Sequence, residues 1–279
     1  MVLRAGRSYY AYGTSTGWER PGRTFPILRS RDLRRWRPAG DALGREPAWS
    51  DGHLWAPSVL AARGRYFMYY SARRRGDEVH CLGVATAKRP TGPFRDRGVI
   101  ACGDRGASGY IDPAPLLFRG KAYLFFSVDD PGHSISALRL GPSLLRARGP
   151  RRTLFGVGRP WQRGLVSETV EAPWPVRRGR RFYLFYSAGC WCSDYRMGFA
   201  VARRPLGPYR DSRANPVLRG DAGLVAPGGG SVVTGRRGRS WLVFHAWTGL
   251  PDYEKGGSRT LRVAPVSWRD GVPRPRLRR

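Results

Sequence analysis

Two carboxylates stand at matching distances ahead of similar hairpin glycines. Asp112 precedes Gly120 by eight residues, and Glu171 precedes Gly179 by eight. Hydrophobic residues and prolines flank both acids and would strip water from them. If the two positions face each other, one carboxyl stays ionised while the other is held protonated, as acid–base chemistry by a carboxyl pair requires. The plainer alternative is that Asp112 caps a turn before proline and Glu171 is an ordinary strand-edge carboxylate.

The elements that would position these acids repeat along the chain. Five glycines, spaced by 58, 56, 59 and 59 residues, each open an aromatic-rich strand pattern: Gly6, Gly64, Gly120, Gly179 and Gly238. Glycine permits a tight turn with positive φ, and the Tyr, Phe, Leu, Val and Trp that follow favour a half-buried pleated strand. This period indicates an all-β, five-bladed β-propeller more than a solenoid or a sandwich. The alternative is a set of unrelated hairpins.

The repeats account for the whole chain, so we predict a single propeller domain. Its blades are expected at approximately 1–50, 51–105, 106–164, 165–222 and 223–279. In a propeller, the segment seven or eight residues before each repeat glycine lies at the inner end of the strand that lines the central channel. Asp112 and Glu171 are therefore expected at the channel mouth, on neighbouring blades.

Composition restricts the partners of this chain. The formal net charge is +30, carried by 47 Arg and 3 Lys that are scattered over turns rather than gathered in one basic arm. We therefore expect no specific nucleic-acid partner, although polyanions would adhere nonspecifically at low salt. No apolar run approaches the roughly 18 to 20 residues that span a bilayer, so no membrane partner is predicted. The protein is expected to act as a monomer.

The four cysteines do not decide whether the protein belongs to an oxidising or a reducing compartment. A disulfide such as Cys81 with Cys102 and a pair of buried free thiols both fit the sequence. Cys190 and Cys192 lack the spacing of zinc or redox pairs, and only four His are available as further ligands. No zinc site is predicted.

The order and spacing of the motifs resemble glycoside hydrolase family 43, over essentially the whole chain. The resemblance rests on segments 9–15, 28–36, 55–57, 91–94, 111–113, 171–173, 183–187, 206–209, 242–247 and 259–268. It implies a five-bladed propeller that cleaves glycosidic bonds with inversion, using three carboxylates. By this resemblance Glu171 is the general acid, and Asp112 is the auxiliary carboxylate that raises the pKa of the acid and orients it.

The same resemblance does not decide which residue is the general base or whether a metal ion is bound. Family members carry the base as an Asp in an Asp-Pro pair that would fall directly before Met1. Either the true start lies upstream, together with a signal peptide for secretion, or the chain lacks its base and is cytoplasmic. Gly229 stands where family members often have a His that helps to hold a central metal ion. No cofactor is therefore predicted, and a structural calcium is doubtful.

Two tryptophans and one arginine are the predicted substrate contacts. Trp55 and Trp174 flank the expected channel and could stack on a sugar ring, with blade packing as the alternative role for each. By the same resemblance Arg259 is expected to contact substrate hydroxyls, and His245 is expected to be a packed histidine. The resemblance favours cleavage of α-L-arabinofuranosyl linkages in arabinan or arabinoxylan. The alternatives are a β-xylosidase and a carbohydrate-binding propeller that lacks its general base.

Overall fold

The computed structural model describes residues 1–14, 24–104, 108–130, 132–221 and 223–277. Ser15 and the predicted blade boundaries at residues 105, 106, 222 and 279 lie outside these ranges. The chain divides into two compact units. The first comprises Met1–Pro131 and Ser136–Arg152, and the second comprises Gly132–Ile135 and Thr153–Arg279. Among the described residues, no helix is long and apolar enough to cross a membrane.

The first unit contains two complete sheets and the first strands of a third. The first sheet is β1(Val2–Ala5), β2(Ser8–Tyr12), β3(Pro26–Ser30) and β4(Arg37–Asp41); the second is β5(Trp55–Ala62), β6(Arg65–Arg73), β7(His80–Ala87) and β8(Arg95–Cys102). The third sheet begins with β9(Tyr110–Phe118) and β10(Lys121–Val128), followed by β11(Ser134–Leu140) and β12(Arg152–Gly156). One buried apolar cluster lies between the first and second sheets, around Met68 and Tyr70. Another, around Leu124 and Phe126, lies between the second and third.

The second unit contains the last two sheets. The fourth is β13(Val170–Arg178), β14(Arg181–Ala188), β15(Arg196–Ala202) and β16(Arg210–Asp211); the fifth is β17(Val225–Thr234), β18(Ser240–Thr248), β19(Ser258–Arg269) and β20(Val272–Pro275). Two 3₁₀ turns, Pro160–Gln162 and Arg236–Gly238, accompany them. Aromatic and aliphatic side chains of both sheets, among them Phe185, Phe199 and Phe244, form a common buried cluster.

Each of the five sheets has four strands in sequential order. The pairings within them are antiparallel, as the hairpin repeat requires. All strands fall inside the blades expected from the glycine spacing. The predicted fold class, an all-β five-bladed β-propeller, is confirmed.

The hairpin turns correct one sequence-based inference. In the second and third sheets the two turn residues are Arg63-Gly64 and Arg119-Gly120, and all four have positive φ. In the fourth sheet the turn is Gly179-Arg180, and positive φ occurs at the glycine alone. The repeat glycine is therefore the second turn residue in the second and third sheets, and the first turn residue in the fourth. The inference that Asp112 and Glu171 occupy the same register, which counted residues back from the glycine, is wrong by one residue.

Candidate active site

A β-bulge at the start of the first strand recurs in four of the sheets. It breaks the pairing of that strand with the next and places a non-glycine residue at positive φ, directly before a proline. The residues at positive φ are Ala56, Asp112, Ala172 and Ala226. Bulges of this kind re-aim side chains, and they are enriched beside active sites. Asp112 therefore corresponds to Ala172, whereas Glu171 lies one position earlier and pairs with Ser187 on β14.

Asp112 lies in the first unit, at the bulge of β9. Its φ of 56° is in the left-handed region, which Asp tolerates better than most residues. The Ser127 hydroxyl donates a hydrogen bond to Asp112 Oδ2 at 3.1 Å. Asp112 also interacts electrostatically with the α-amino group of Met1, whose pKa is lowered to about 5 by burial while the Asp112 charge acts in the opposite direction. The start of β1 and the bulge of β9 are thus neighbours within this unit.

Trp55 lies in the first unit, at the bulge of β5. Its half-buried ring stacks on His80, with 4.2 Å between ring centroids and 23° between planes. Burial lowers the pKa of His80, so the imidazole that backs Trp55 is neutral at neutral pH. Trp55 stacks on His80 and is half-buried as a residue, and its sugar-stacking role remains a prediction.

Glu171 lies in the second unit and is held by a residue that the sequence analysis did not identify. The hydroxyl of Tyr195, a buried side chain, donates a 2.5 Å hydrogen bond to Glu171 Oε1. The Tyr195 ring in turn stacks on His245 at 5.7 Å and 18°. Burial lowers the pKa of His245 to about 3, with the Arg259 charge as a further cause, so this histidine is neutral. The only sequence signal for Tyr195 is its position directly before β15, the next strand but one after the strand of Glu171.

Three consecutive glycines make room for this arrangement. A Cβ atom at Gly228 would overlap the Tyr195 ring, one at Gly229 would lie 2.7 Å from His245 Nε2, and one at Gly230 would lie 2.7 Å from the Met197 methyl carbon. The Gly229 amide also donates a hydrogen bond to the Ser187 hydroxyl at 2.9 Å. The glycine at position 229 therefore has a packing function, because the imidazole of His245 occupies the space that a side chain there would need.

Replacing Gly228 with Ala is expected to lower the free energy of unfolding by about 1 to 3 kcal/mol, the usual cost of overpacking a filled site. The added methyl must displace Tyr195 or the β17 backbone. Chemical denaturation measures the change. Gly158→Ala is the matched control in the same unit, because a Cβ there meets nothing within 4 Å. Equal stability of both variants would contradict the tight contact between Gly228 and Tyr195.

Trp174 and Arg259, the other two predicted substrate contacts, lie in the second unit. The Trp174 ring packs against the apolar cluster of the fourth and fifth sheets, and its Nε1 donates to the Val232 carbonyl at 3.0 Å. The structure therefore favours the packing role for Trp174. Arg259 donates from Nε to the Tyr253 hydroxyl at 2.5 Å, and its guanidinium lies 4.9 Å from the Trp191 ring centroid.

The four cysteines form two disulfides. Cys81 and Cys102 face each other across β7 and β8 and are joined, and Cys190 is joined to Cys192. Within the described part of the chain, no group of three or more His, Cys, Asp or Glu side chains could hold a metal ion. The expectations about cofactors remain predictions.

Comparison with known proteins identifies the family. The model of glycosyl hydrolases family 43 matches residues 1–273, so the chain belongs to this family of glycosidases. The extracellular exo-α-(1→5)-L-arabinofuranosidase ArbA of Cellvibrio japonicus is 26% identical, over 99% of this chain and 85% of that protein. The extracellular endo-α-(1→5)-L-arabinanase 1 of Bacillus subtilis is 25% identical, over 98% of this chain and 85% of its own length.

Solved structures agree with the family assignment. A thermostable family-43 glycoside hydrolase has a TM-score of 0.88 and 28% identity, and the match covers 99% of this chain and 91% of that one. An endo-1,4-β-xylanase from Bacteroides thetaiotaomicron VPI-5482 has a TM-score of 0.86 and 26% identity, covering 100% and 93%. The α-L-arabinanase of Cellvibrio cellulosa, solved with arabinohexaose, has a TM-score of 0.79 and 25% identity, covering 99% and 94%.

Proposed function

We propose that this protein is an inverting glycosidase that cleaves α-L-arabinofuranosyl linkages in arabinan or arabinoxylan. The observation that carries the proposal is the Glu171 carboxyl, placed at a bulge and held by the Tyr195 hydroxyl in a chain of this family. The named activities of its arabinan-cleaving relatives support the substrate class.

In the proposed reaction, Glu171 gives its proton to the glycosidic oxygen as the bond from that oxygen to the anomeric carbon breaks. A water molecule attacks the anomeric carbon from the opposite face and loses its proton to a general base. An inverting pair of carboxyl groups lies about 6.5 to 9.5 Å apart, which leaves room for this water. By the family resemblance, Asp112 is the carboxylate whose charge keeps the acid protonated, and the base of family members is an Asp in an Asp-Pro pair whose position falls directly ahead of Met1.

A β-xylosidase is the second candidate, because one similar solved structure is an endo-1,4-β-xylanase. Side-by-side assays of debranched arabinan, arabinoxylan and xylo-oligosaccharides separate the two activities, with the protein extended by Asp-Pro ahead of Met1 as the enzyme. We expect release of arabinose or arabino-oligosaccharides, with the newly formed anomeric centre inverted when it is followed by NMR. Release of xylose as the main product would mean that xylan, and not arabinan, is the substrate. An anomeric centre of retained configuration would overturn the inverting mechanism.

We also propose that the protein acts outside the cytoplasm. Two of its relatives are named as extracellular enzymes, and disulfides persist in oxidising compartments. The two cysteine pairs, 81 with 102 and 190 with 192, fit such a location.

A further inference from the structure

Trp191 is an exposed aromatic residue in a molecule whose other exposed large hydrophobic side chains, among the described residues, are aliphatic. Its exposed fraction is 41%. It stands between Cys190 and Cys192, which form a disulfide around it. Its exposed indole offers an apolar aromatic surface on which a ligand ring can pack.

The Trp191 ring is held by neighbours in the same unit. It stacks on Trp247 with 6.1 Å between ring centroids and 21° between planes. The Arg259 guanidinium lies 4.9 Å from its centroid. The Trp247 indole N–H donates to the Trp191 carbonyl at 2.7 Å. Tyr253 contacts both indole rings and receives the Arg259 Nε hydrogen bond.

Asp194 anchors the loop that carries Trp191. Its carboxylate accepts hydrogen bonds from the Cys190 amide at 3.1 Å and from the Ser193 hydroxyl at 3.3 Å, and it forms a 2.9 Å ion pair with Arg196. Together with the disulfide, these contacts fix the backbone on both sides of Trp191. An aromatic surface with a fixed orientation binds a ligand ring at a low cost in conformational entropy.

The Trp191 ring is connected through packed side chains to the carboxyl of Glu171, the proposed acid. Trp247 packs with Tyr195 and Ala226 in one buried cluster, and the Tyr195 hydroxyl donates to Glu171. Two side chains thus connect the exposed Trp191 ring to the carboxyl that would protonate the leaving oxygen. All of these residues lie in the second unit.

We propose that Trp191 is a substrate-binding residue that stacks on an arabinofuranosyl ring next to the cleaved linkage. The inference rests on the proposed function, since it takes the ligand from that substrate class. The C–H face of a furanose packs on the exposed part of the indole, while Trp247 and Arg259 hold the ring in place. Cys190, Cys192 and Asp194 act as positioning groups for this contact.

Calorimetry on the protein, residues 1–279, tests the proposal. All proteins carry Glu171→Gln so that no bond is cleaved, and arabinohexaose and xylohexaose are titrated in parallel. Trp191→Ala is expected to weaken arabinohexaose binding about 5- to 30-fold, the effect of removing an aromatic contact worth about 1 to 2 kcal/mol. Trp191→Phe, which keeps an aromatic face, should retain most of the affinity. Trp36→Ala is the matched control, because Trp36 lies on a turn of the first sheet and donates to the Leu33 carbonyl.

The outcomes separate the two proposals. Unchanged arabinohexaose affinity in Trp191→Ala would overturn the role of Trp191 and leave the proposed function standing. Equal losses in the Trp191→Ala and Trp36→Ala proteins would also overturn it, because the effect would then be nonspecific. Binding of xylohexaose alone, or of neither sugar, would overturn both the arabinofuranosyl contact and the proposed substrate.

Discussion

Adding the dipeptide Asp-Pro directly ahead of Met1 is expected to raise the hydrolysis of an aryl α-L-arabinofuranoside by about 10²- to 10⁴-fold, the usual contribution of a general base. The Met1 α-amino group donates to the Tyr12 carbonyl at 2.7 Å, and the Tyr12 amide donates to the Met1 carbonyl at 2.9 Å. Met1 is therefore paired as a strand residue. An added Pro and Asp would occupy the positions that Pro113 and Asp112 occupy in β9.

The matched control for this extension is Asn-Pro, which has the same length and nearly the same shape but no carboxylate. An equal gain from Asn-Pro would mean that the longer strand, and not a base, restores the activity. High activity without any extension would assign the base to another carboxylate. Asp51 and Asp41 would then be tested first; Asp51 already accepts a 2.8 Å hydrogen bond from Arg73 in an ion pair.

The repeat pattern was sufficient to predict the fold. Each glycine-led hairpin combines a residue that tolerates positive φ with aromatic residues that need burial, and both requirements are local. The structure meets them with five sheets whose strands all fall inside the predicted blades. Equal spacing of a local signal therefore carried information about the whole chain.

The register of the acids could not be predicted in the same way. Arg178 and Arg180 flank Gly179, so the sequence allows the glycine either the first or the second place in the turn. In the structure Gly179 is the first residue of the turn. Glu171 therefore lies one residue earlier in its strand than the position that corresponds to Asp112. The same offset pairs Trp174 with Phe185 and leaves its ring in the apolar cluster of the fourth and fifth sheets.

The contacts that hold the Glu171 side chain could not be predicted from the sequence either. Tyr195 meets Glu171 across β14, which lies between β13 and β15, and it stacks on His245 where Gly228 and Gly229 lack side chains. These contacts depend on strand pairing and on free space, neither of which is visible in residue spacing. The disulfide pairing of Cys190 with Cys192 was likewise left open by the sequence.

The assignment of Glu171 as general acid predicts a dependence on the leaving group. Glu171→Gln keeps a side-chain oxygen that can accept the Tyr195 hydrogen bond, but it removes the proton that the leaving oxygen needs. A dinitrophenolate leaves without protonation, whereas the leaving sugar of arabinan does not. In the Asp-Pro-extended protein, the rate on arabinan should therefore fall about 10²- to 10⁴-fold, and the rate on dinitrophenyl α-L-arabinofuranoside should fall far less.

The ratio of these two losses is the most direct test of the central claim, that Glu171 is the proton donor of an arabinan-cleaving glycosidase. It is obtained by measuring kcat/KM for both substrates in the extended parent protein and in its Glu171→Gln variant. We predict a loss on arabinan at least tenfold greater than the loss on the dinitrophenyl substrate, which is a difference of about 1.4 kcal/mol in transition-state stabilisation. Equal losses on the two substrates would contradict the assignment and leave Glu171 with a role in binding or structure alone.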